Sequence, residues 1–110
     1  MSVTSAITEM VDRIVREFQP EKIILFGSHA RGDAREYSDV DLLVVMPDGT
    51  DRQGTRIAIR RALNDVLVSK DIIVTTLDEI TRRGHIVGTV LRPALIEGRV
   101  LYERTSNDYA

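Results

Sequence analysis

Apolar residues recur along this chain with two different periods, and the period predicts the type of each element. Helical spacing predicts a first helix over about residues 4–18, a second over about 52–67 and a last one that ends at Gly98. The last helix is defined by apolar residues between Val87 and Leu95. It contains Pro93, which predicts either a kink or a later start.

Short runs of aliphatic and β-branched residues predict four strands. They cover residues 22–26, 39–46, 70–76 and 99–102. Residues 29–34 are expected to form one or two helical turns, and another short helix is expected to begin at Asp78. The ten or so residues between the first two strands permit parallel or antiparallel pairing. The order of elements predicts a single α/β domain of the α+β type over residues 1–110, with a mixed sheet flanked by helices.

Composition limits the classes of partner. The chain has 110 residues, of which 43% are hydrophobic and 29% charged, as expected of one globular core. Its 15 basic and 17 acidic residues leave a net charge of −2, so a long nucleic acid is not expected as the main partner. The absence of cysteine excludes disulfides, thiol nucleophiles and thiolate-zinc sites. We therefore expect a small ligand or a protein partner.

The sequence contains no stretch that resembles a secretory signal or a membrane span. The N-terminal stretch contains Glu9 and Asp12 and has no continuous apolar run, so no secretory signal is expected. The longest apolar run, residues 42–46, is far shorter than the roughly 20 residues needed to span a bilayer. These observations predict a cytoplasmic protein without a membrane partner.

Two like charges, Asp39 and Asp41, begin the second predicted strand. Because strand side chains alternate between the two faces, both carboxylates are expected to project from the same face. Neighbouring carboxylates raise each other's pKa unless a cation or a donor lies between them. Mg²⁺ commonly binds one or two carboxylates together with substrate phosphates. The pair therefore predicts a site for a divalent cation.

Gly27 and Ser28 follow the first predicted strand and supply complementary chemistry. A glycine allows close approach of the backbone to a ligand, and free N–H groups with the Ser28 hydroxyl can bind phosphate oxygens. Arg31 is close enough in sequence to add a positive charge, although an ion pair with Asp33 or Glu36 is an equal alternative. A phosphate site facing two carboxylates suits the chemistry of a metal-bound nucleotide.

A third carboxylate, Asp71, begins the strand over residues 70–76. If this strand pairs beside the second one, Asp71 joins the other two carboxylates. Three carboxylates can bind two metal ions, and Asp71 is then the candidate to accept a proton from an attacking hydroxyl. The alternative is that Asp71 only stabilises the preceding turn, as aspartates often do.

The stretch GSHARGDAREYSDVD, residues 27–41, resembles the signature of the nucleotidyltransferase superfamily that includes DNA polymerase β. It is most similar to the minimal nucleotidyltransferases. The resemblance implies a mixed-sheet fold and transfer of a nucleoside monophosphate from a triphosphate bound with two Mg²⁺ ions. It places Gly27 and Ser28 at the triphosphate and Asp39, Asp41 and Asp71 at the metals.

The same resemblance implies a biological partner. Minimal nucleotidyltransferases commonly act as antitoxins beside a helical HEPN-domain ribonuclease toxin, and several transfer AMP from ATP to a tyrosine of that toxin. Larger relatives carry an additional domain for other acceptors. Two alternatives stay open: a binding module that neutralises its partner by occlusion, and a transferase for small molecules or RNA ends.

Several other residues have simpler explanations. Asp39 can protect the end of an edge strand, and Ser28 can cap a helix. His29 is expected to be an ordinary surface histidine. The pairs at 60–61 and 82–83 are both Arg-Arg, and pairs of this kind usually lie on solvated faces.

Overall fold

The computed structural model describes residues 2–35, 37–84 and 91–104. Within these residues the chain forms five helices and four strands. In chain order they are α1 (Val3–Phe18), β1 (Lys22–Phe26), α2 (Ser28–Arg31), β2 (Val40–Met46), α3 (Arg52–Ala62), β3 (Lys70–Thr76), α4 (Leu77–Arg83), α5 (Leu91–Glu97) and β4 (Arg99–Glu103).

The strands form one mixed sheet in the order β3-β2-β1-β4. β1 pairs antiparallel with both β2 and β4, whereas β2 and β3 run parallel. The connection between β2 and β3 contains α3, as a parallel crossover requires. The mixed sheet flanked by helices confirms the predicted fold class, and the open choice between β1 and β2 is settled as antiparallel.

The sheet buries a different set of apolar side chains on each face. One face packs against α1 and α3, and its core includes Met10, Ile14, Leu42 and Ile59. The other packs against α5 through Phe26, Leu43, Val45, Leu91 and Ala94. We call these the α3 face and the α5 face. Residues of odd number in β2 belong to the α5 face, so Asp41 lies on that side.

Most predicted bounds are confirmed to within one or two residues, but the second long helix is shorter than predicted. α3 ends at Ala62 rather than near residue 67, and turns follow it. Leu63 and Val66 are still buried, which explains why their spacing resembled helix, whereas Leu67 is 92% exposed. The Asn64 N–H bonds to the Arg61 carbonyl, a tighter turn that ends the regular pattern.

The last helix agrees with the prediction only where it is described. The described part of this helix is α5, Leu91–Glu97, and it contains Pro93. Gly98 follows its end, and the Gly98 N–H bonds to the Ala94 carbonyl. The predicted helical positions 87 and 90 and the predicted tail 105–110 lie outside the described residues. In the described ranges, no helix combines the length and apolarity that crossing a bilayer requires.

Candidate active site

Asp41 and Asp71 are direct neighbours in the parallel pair of β2 and β3. Residues in register on adjacent strands point to the same face, and the strands are about 4.8 Å apart. Both side chains are half-buried. The structure therefore brings together two of the three predicted carboxylates on a rigid part of the sheet.

Asp39 precedes β2 and is exposed. Its Oδ1 accepts a hydrogen bond from the hydroxyl of Ser69. The Val40 N–H also bonds to the Ser69 carbonyl, at 2.9 Å. Ser69 therefore connects the residues that precede β2 and β3, and the charge of the Asp39 carboxylate acts on Asp41.

The environment of Asp41 is electrostatically unfavourable for a carboxylate. Burial raises the pKa of the Asp41 carboxyl, and the charges of Asp71 and Asp39 raise this pKa further. His29 and Arg31 act in the opposite direction. An added cation beside Asp41 would remove the repulsion, which is the property expected of a metal-binding carboxylate.

Gly27 lies against the Asp41 carboxylate at the end of β1. Its backbone has φ +75° and ψ −158°, a region that residues with a side chain rarely adopt. A Cβ at this position would overlap Oδ2 of Asp41. Gly27 is therefore required both for the turn into α2 and for the space that Asp41 occupies.

α2 is one helical turn, so the shorter of the two predicted lengths is correct. Ser28 is its first residue and is half-buried, and the Ala30 and Arg31 N–H groups both bond to the Gly27 carbonyl at 3.1 Å. The turn closes at Gly32, whose N–H bonds to the Ser28 carbonyl. The hydroxyl and early amides of this turn thus begin where β1 ends, beside Asp41.

Two basic side chains, Arg31 and His29, act on the Asp41 carboxylate. The Arg31 guanidinium lies 3.5 Å from an Asp33 oxygen and 3.9 Å from a Glu97 oxygen, so it is engaged in exposed ion pairs. His29 is half-buried, with Nε2 3.1 Å from the Ser38 carbonyl oxygen. The sequence revealed no partner for His29, whereas the structure shows that this ring connects α2 to the segment before Asp39.

The donor set fits a hard divalent cation that shares its coordination with a nucleotide. Among the described residues, no group of three or more histidine, aspartate or glutamate side chains is arranged to hold a metal ion, so Asp39, Asp41 and Asp71 do not form the expected three-carboxylate set. Mg²⁺ does not need one, since it usually takes one or two carboxylates and completes its shell with phosphate oxygens and water. Asp41 and Asp71, with a raised Asp41 pKa, meet that requirement.

The Asp41→Asn change is expected to stabilise the metal-free protein at neutral pH. The raised pKa means that the folded state holds the Asp41 proton more tightly than the unfolded chain does. Stability from this group is therefore complete below about pH 4, the ordinary Asp value, and is lost as pH rises through the folded pKa. The variant should gain on the order of 0.2–1 kcal/mol at pH 7, the scale of cross-strand pairs.

Urea unfolding from pH 4 to pH 7 in metal-free buffer measures this gain. The advantage of the variant should shrink as the pH approaches 4. Asp12→Asn, the same chemical change at an exposed position of α1, is the matched control because Asp12 pairs with Arg16 on its own helix. A gain that did not change with pH would contradict the proposed repulsion.

This chain is similar to known proteins over most of its length. The family model described as "Nucleotidyltransferase domain" matches residues 7–101. A protein of Methanocaldococcus jannaschii whose name proposes protein adenylyltransferase activity is 40% identical over 74 residues, 58% of this chain and 75% of that protein. Two further proteins of this organism bear the same kind of name. Their matches, 47% and 52% identical, span only 47% and 29% of their lengths.

Solved structures are similar in fold. A proposed nucleotidyltransferase from Sulfolobus solfataricus has a TM-score of 0.61 at 22% identity, covering 91% of this chain and 79% of that one. A toxin–antitoxin structure with AMP-PNP has a TM-score of 0.55 at 22% identity, covering 92% and 77%. With the family model spanning most of its length, the chain belongs to the nucleotidyltransferase domain family.

Proposed function

We propose that this protein transfers AMP from Mg²⁺-bound ATP to a hydroxyl of a partner protein. The observation that carries the proposal is the register of Asp41 opposite Asp71, beside the Gly27-Ser28 turn. This arrangement puts carboxylates next to a segment suited to phosphate oxygens. The relatives named for protein adenylyltransferase activity support the choice of AMP and of a protein acceptor.

In this proposal the Gly27-Ser28 turn binds the triphosphate. The Ser28 hydroxyl and the first amides of α2 donate hydrogen bonds to its oxygens, and the absence of a Cβ at Gly27 lets the backbone approach them. Arg31 adds positive charge at the same end of β1. These contacts hold the α-phosphorus in line with the acceptor, and such positioning supplies much of the rate in phosphoryl-type transfers.

Asp39, Asp41 and Asp71 would hold the metal, with two ions as the expected number. When bound, Mg²⁺ neutralises the triphosphate and the pyrophosphate leaving group. Asp71 lies on β3, on the side of Asp41 away from Gly27. In this proposal it accepts the proton of a hydroxyl that approaches from the β3 side. The oxygen then bonds to the α-phosphorus as the bond to pyrophosphate breaks.

The acceptor is proposed to be a tyrosine of a HEPN-type toxin, for which this protein acts as antitoxin. The similarity to a toxin–antitoxin structure that contains AMP-PNP supports a partner of this kind. Exposed apolar residues on α5 and β4 also support a protein partner: Ile96 and Val100 are 65% and 53% exposed. α5 packs on the sheet face to which Asp41 belongs.

Label transfer from ATP labelled at the α-phosphate tests the proposal. The purified chain is incubated with Mg²⁺ and a lysate of its source cell, and the proteins are then separated. One labelled protein is expected, and the label should be absent with chelator and with the Asp39→Asn variant.

The location of the label decides among the alternatives. Label on a tyrosine of a helical partner supports the full proposal, and mass spectrometry of that protein identifies the residue. A partner that co-purifies but carries no label would favour the alternative in which this protein neutralises its partner by occlusion. Label found only on RNA or small molecules would favour the alternative in which the acceptor is not a protein.

A further inference from the structure

A cavity of about 690 Å³ lies between α3 and the beginning of β3, on the sheet face opposite Asp41. Its volume falls within the roughly 300–1,000 Å³ typical of small-molecule sites. The side chains that line it include four cations, one amide and one aliphatic residue: Arg56, Arg60, Arg61, Lys70, Asn64 and Ile57. Among the described residues, no carboxylate contributes to the lining.

In the part of the chain that the structure describes, the cations that line this cavity form no ion pair with a carboxylate. Within the described ranges, no carboxylate lies within ion-pair distance of Arg60 or Arg61. Asp65, the nearest acidic residue in sequence, instead pairs with Arg13 at 2.5 Å.

Two of the cations are held by the backbone. Arg56 donates through Nε to the Ile72 carbonyl at 2.8 Å, so it satisfies an acceptor of β3, which is a sheet edge. Lys70 donates through Nζ to the carbonyls of Val66 and Val68, at 2.8 and 3.2 Å. These bonds fix two positive groups before any ligand arrives, which reduces the entropy lost on binding.

We infer that this cavity is a second anion site, which binds a small ligand through a phosphate group. Guanidinium groups match phosphate oxygens with paired hydrogen bonds, and a phosphate provides more charge and more acceptor oxygens than a carboxylate does. Asn64 can donate a further hydrogen bond, and Ile57 can cover an apolar part of the ligand. The net charge of −2 argues against a long nucleic acid as the occupant.

The site is independent of the proposed transfer chemistry but lies next to it. Ser69 lines the cavity, and its hydroxyl bonds to Asp39. Lys70 and Asp71 follow each other on β3, so their side chains project to opposite faces of the sheet. One short segment therefore carries a cation of the cavity and a carboxylate of the candidate active site.

Titration with inorganic pyrophosphate and, separately, with AMP tests the inference in metal-free buffer. Under these conditions the carboxylates on the other face repel both probes. Calorimetry gives the Kd, and ¹⁵N spectra that include arginine Nε–H signals locate the site. The Arg60→Gln/Arg61→Gln variant should weaken binding at least about tenfold, since it removes two charge-assisted contacts. If pyrophosphate binds and AMP does not, the ligand is inorganic. If AMP binds more tightly than pyrophosphate, the ligand is a nucleotide.

Arg82→Gln/Arg83→Gln is the matched control, because it removes the same charge from α4, away from the cavity. It should change the Kd less than twofold, and circular dichroism should show that both variants are folded. Equal weakening by the two variants would mean that only net charge matters and would overturn the inference. Absence of spectral changes at Arg56, Arg60 and Lys70 would overturn it as well.

Discussion

The Asp41→Asn variant is expected to lose AMP transfer by about a thousandfold while folding normally. Under the proposed function Asp41 binds the metal, so its loss should remove several kcal/mol of transition-state stabilisation, and each 1.4 kcal/mol corresponds to a factor of ten in rate. Asn keeps the shape of the side chain against Gly27, so the turn into α2 is preserved. The same change should thus lower activity and raise metal-free stability.

Initial rates of label transfer to the identified acceptor measure this loss. Asp12→Asn on α1 is again the matched control and should retain the native rate. Raising Mg²⁺ should not restore the Asp41→Asn rate, because the missing ligand changes the position of the metal as well as its affinity. A variant with more than a tenth of the native rate would remove Asp41 from the catalytic set.

The Gly27→Ala variant is expected to lose about 2–4 kcal/mol of stability together with activity. One part of this cost is backbone strain, because the glycine has φ +75° and ψ −158°. The other part is the overlap of the new Cβ with the Asp41 carboxylate, which must move. Urea unfolding measures the loss of stability, and label transfer measures the loss of activity.

Gly49→Ala separates the two contributions. Gly49 also has a positive φ, +89°, but a Cβ there would meet no atom within 4 Å. It should cost only about 1 kcal/mol and leave activity unchanged. In an Asp41→Ala background, the Gly27→Ala penalty should fall to its backbone part. An unchanged penalty in that background would show that the overlap does not matter.

The strands were predictable from the sequence, and the end of α3 was not. β1 and β3 have the predicted bounds because each is a run of aliphatic residues that ends where a glycine or a helix follows. Leu63 and Val66 continue the helical spacing of α3 but reach the core from turns. A residue buried from a turn must be apolar just as one buried from a helix must be, so hydrophobic spacing could not distinguish the helix from the turns that follow it.

The candidate site was predictable in its residue types but only partly in its assembly. The carboxylates and the Gly27-Ser28 turn lie near one another in sequence, whereas Asp71 joins them only because β3 pairs parallel with β2. The contacts of Ser69 and His29 depend on the path of loops, which carries no periodic signal. The cationic cavity needs α3 docked on β3, so the Arg60-Arg61 pair alone indicated only a solvated face.

The central position of β1 has a consequence for biosynthesis. One edge of β1 pairs with β2, which follows soon after it, but the other edge pairs with β4. The ion pair between Glu21 and Arg104 joins residues 83 positions apart across this second pairing. During synthesis on the ribosome, the edge of β1 that pairs with β4 therefore stays without its partner strand until β4 has emerged. Contacts so distant in sequence slow folding, and an open aliphatic strand is prone to aggregate in the interval. Newly made chains should consequently depend on chaperones more than the stability of the finished domain would suggest.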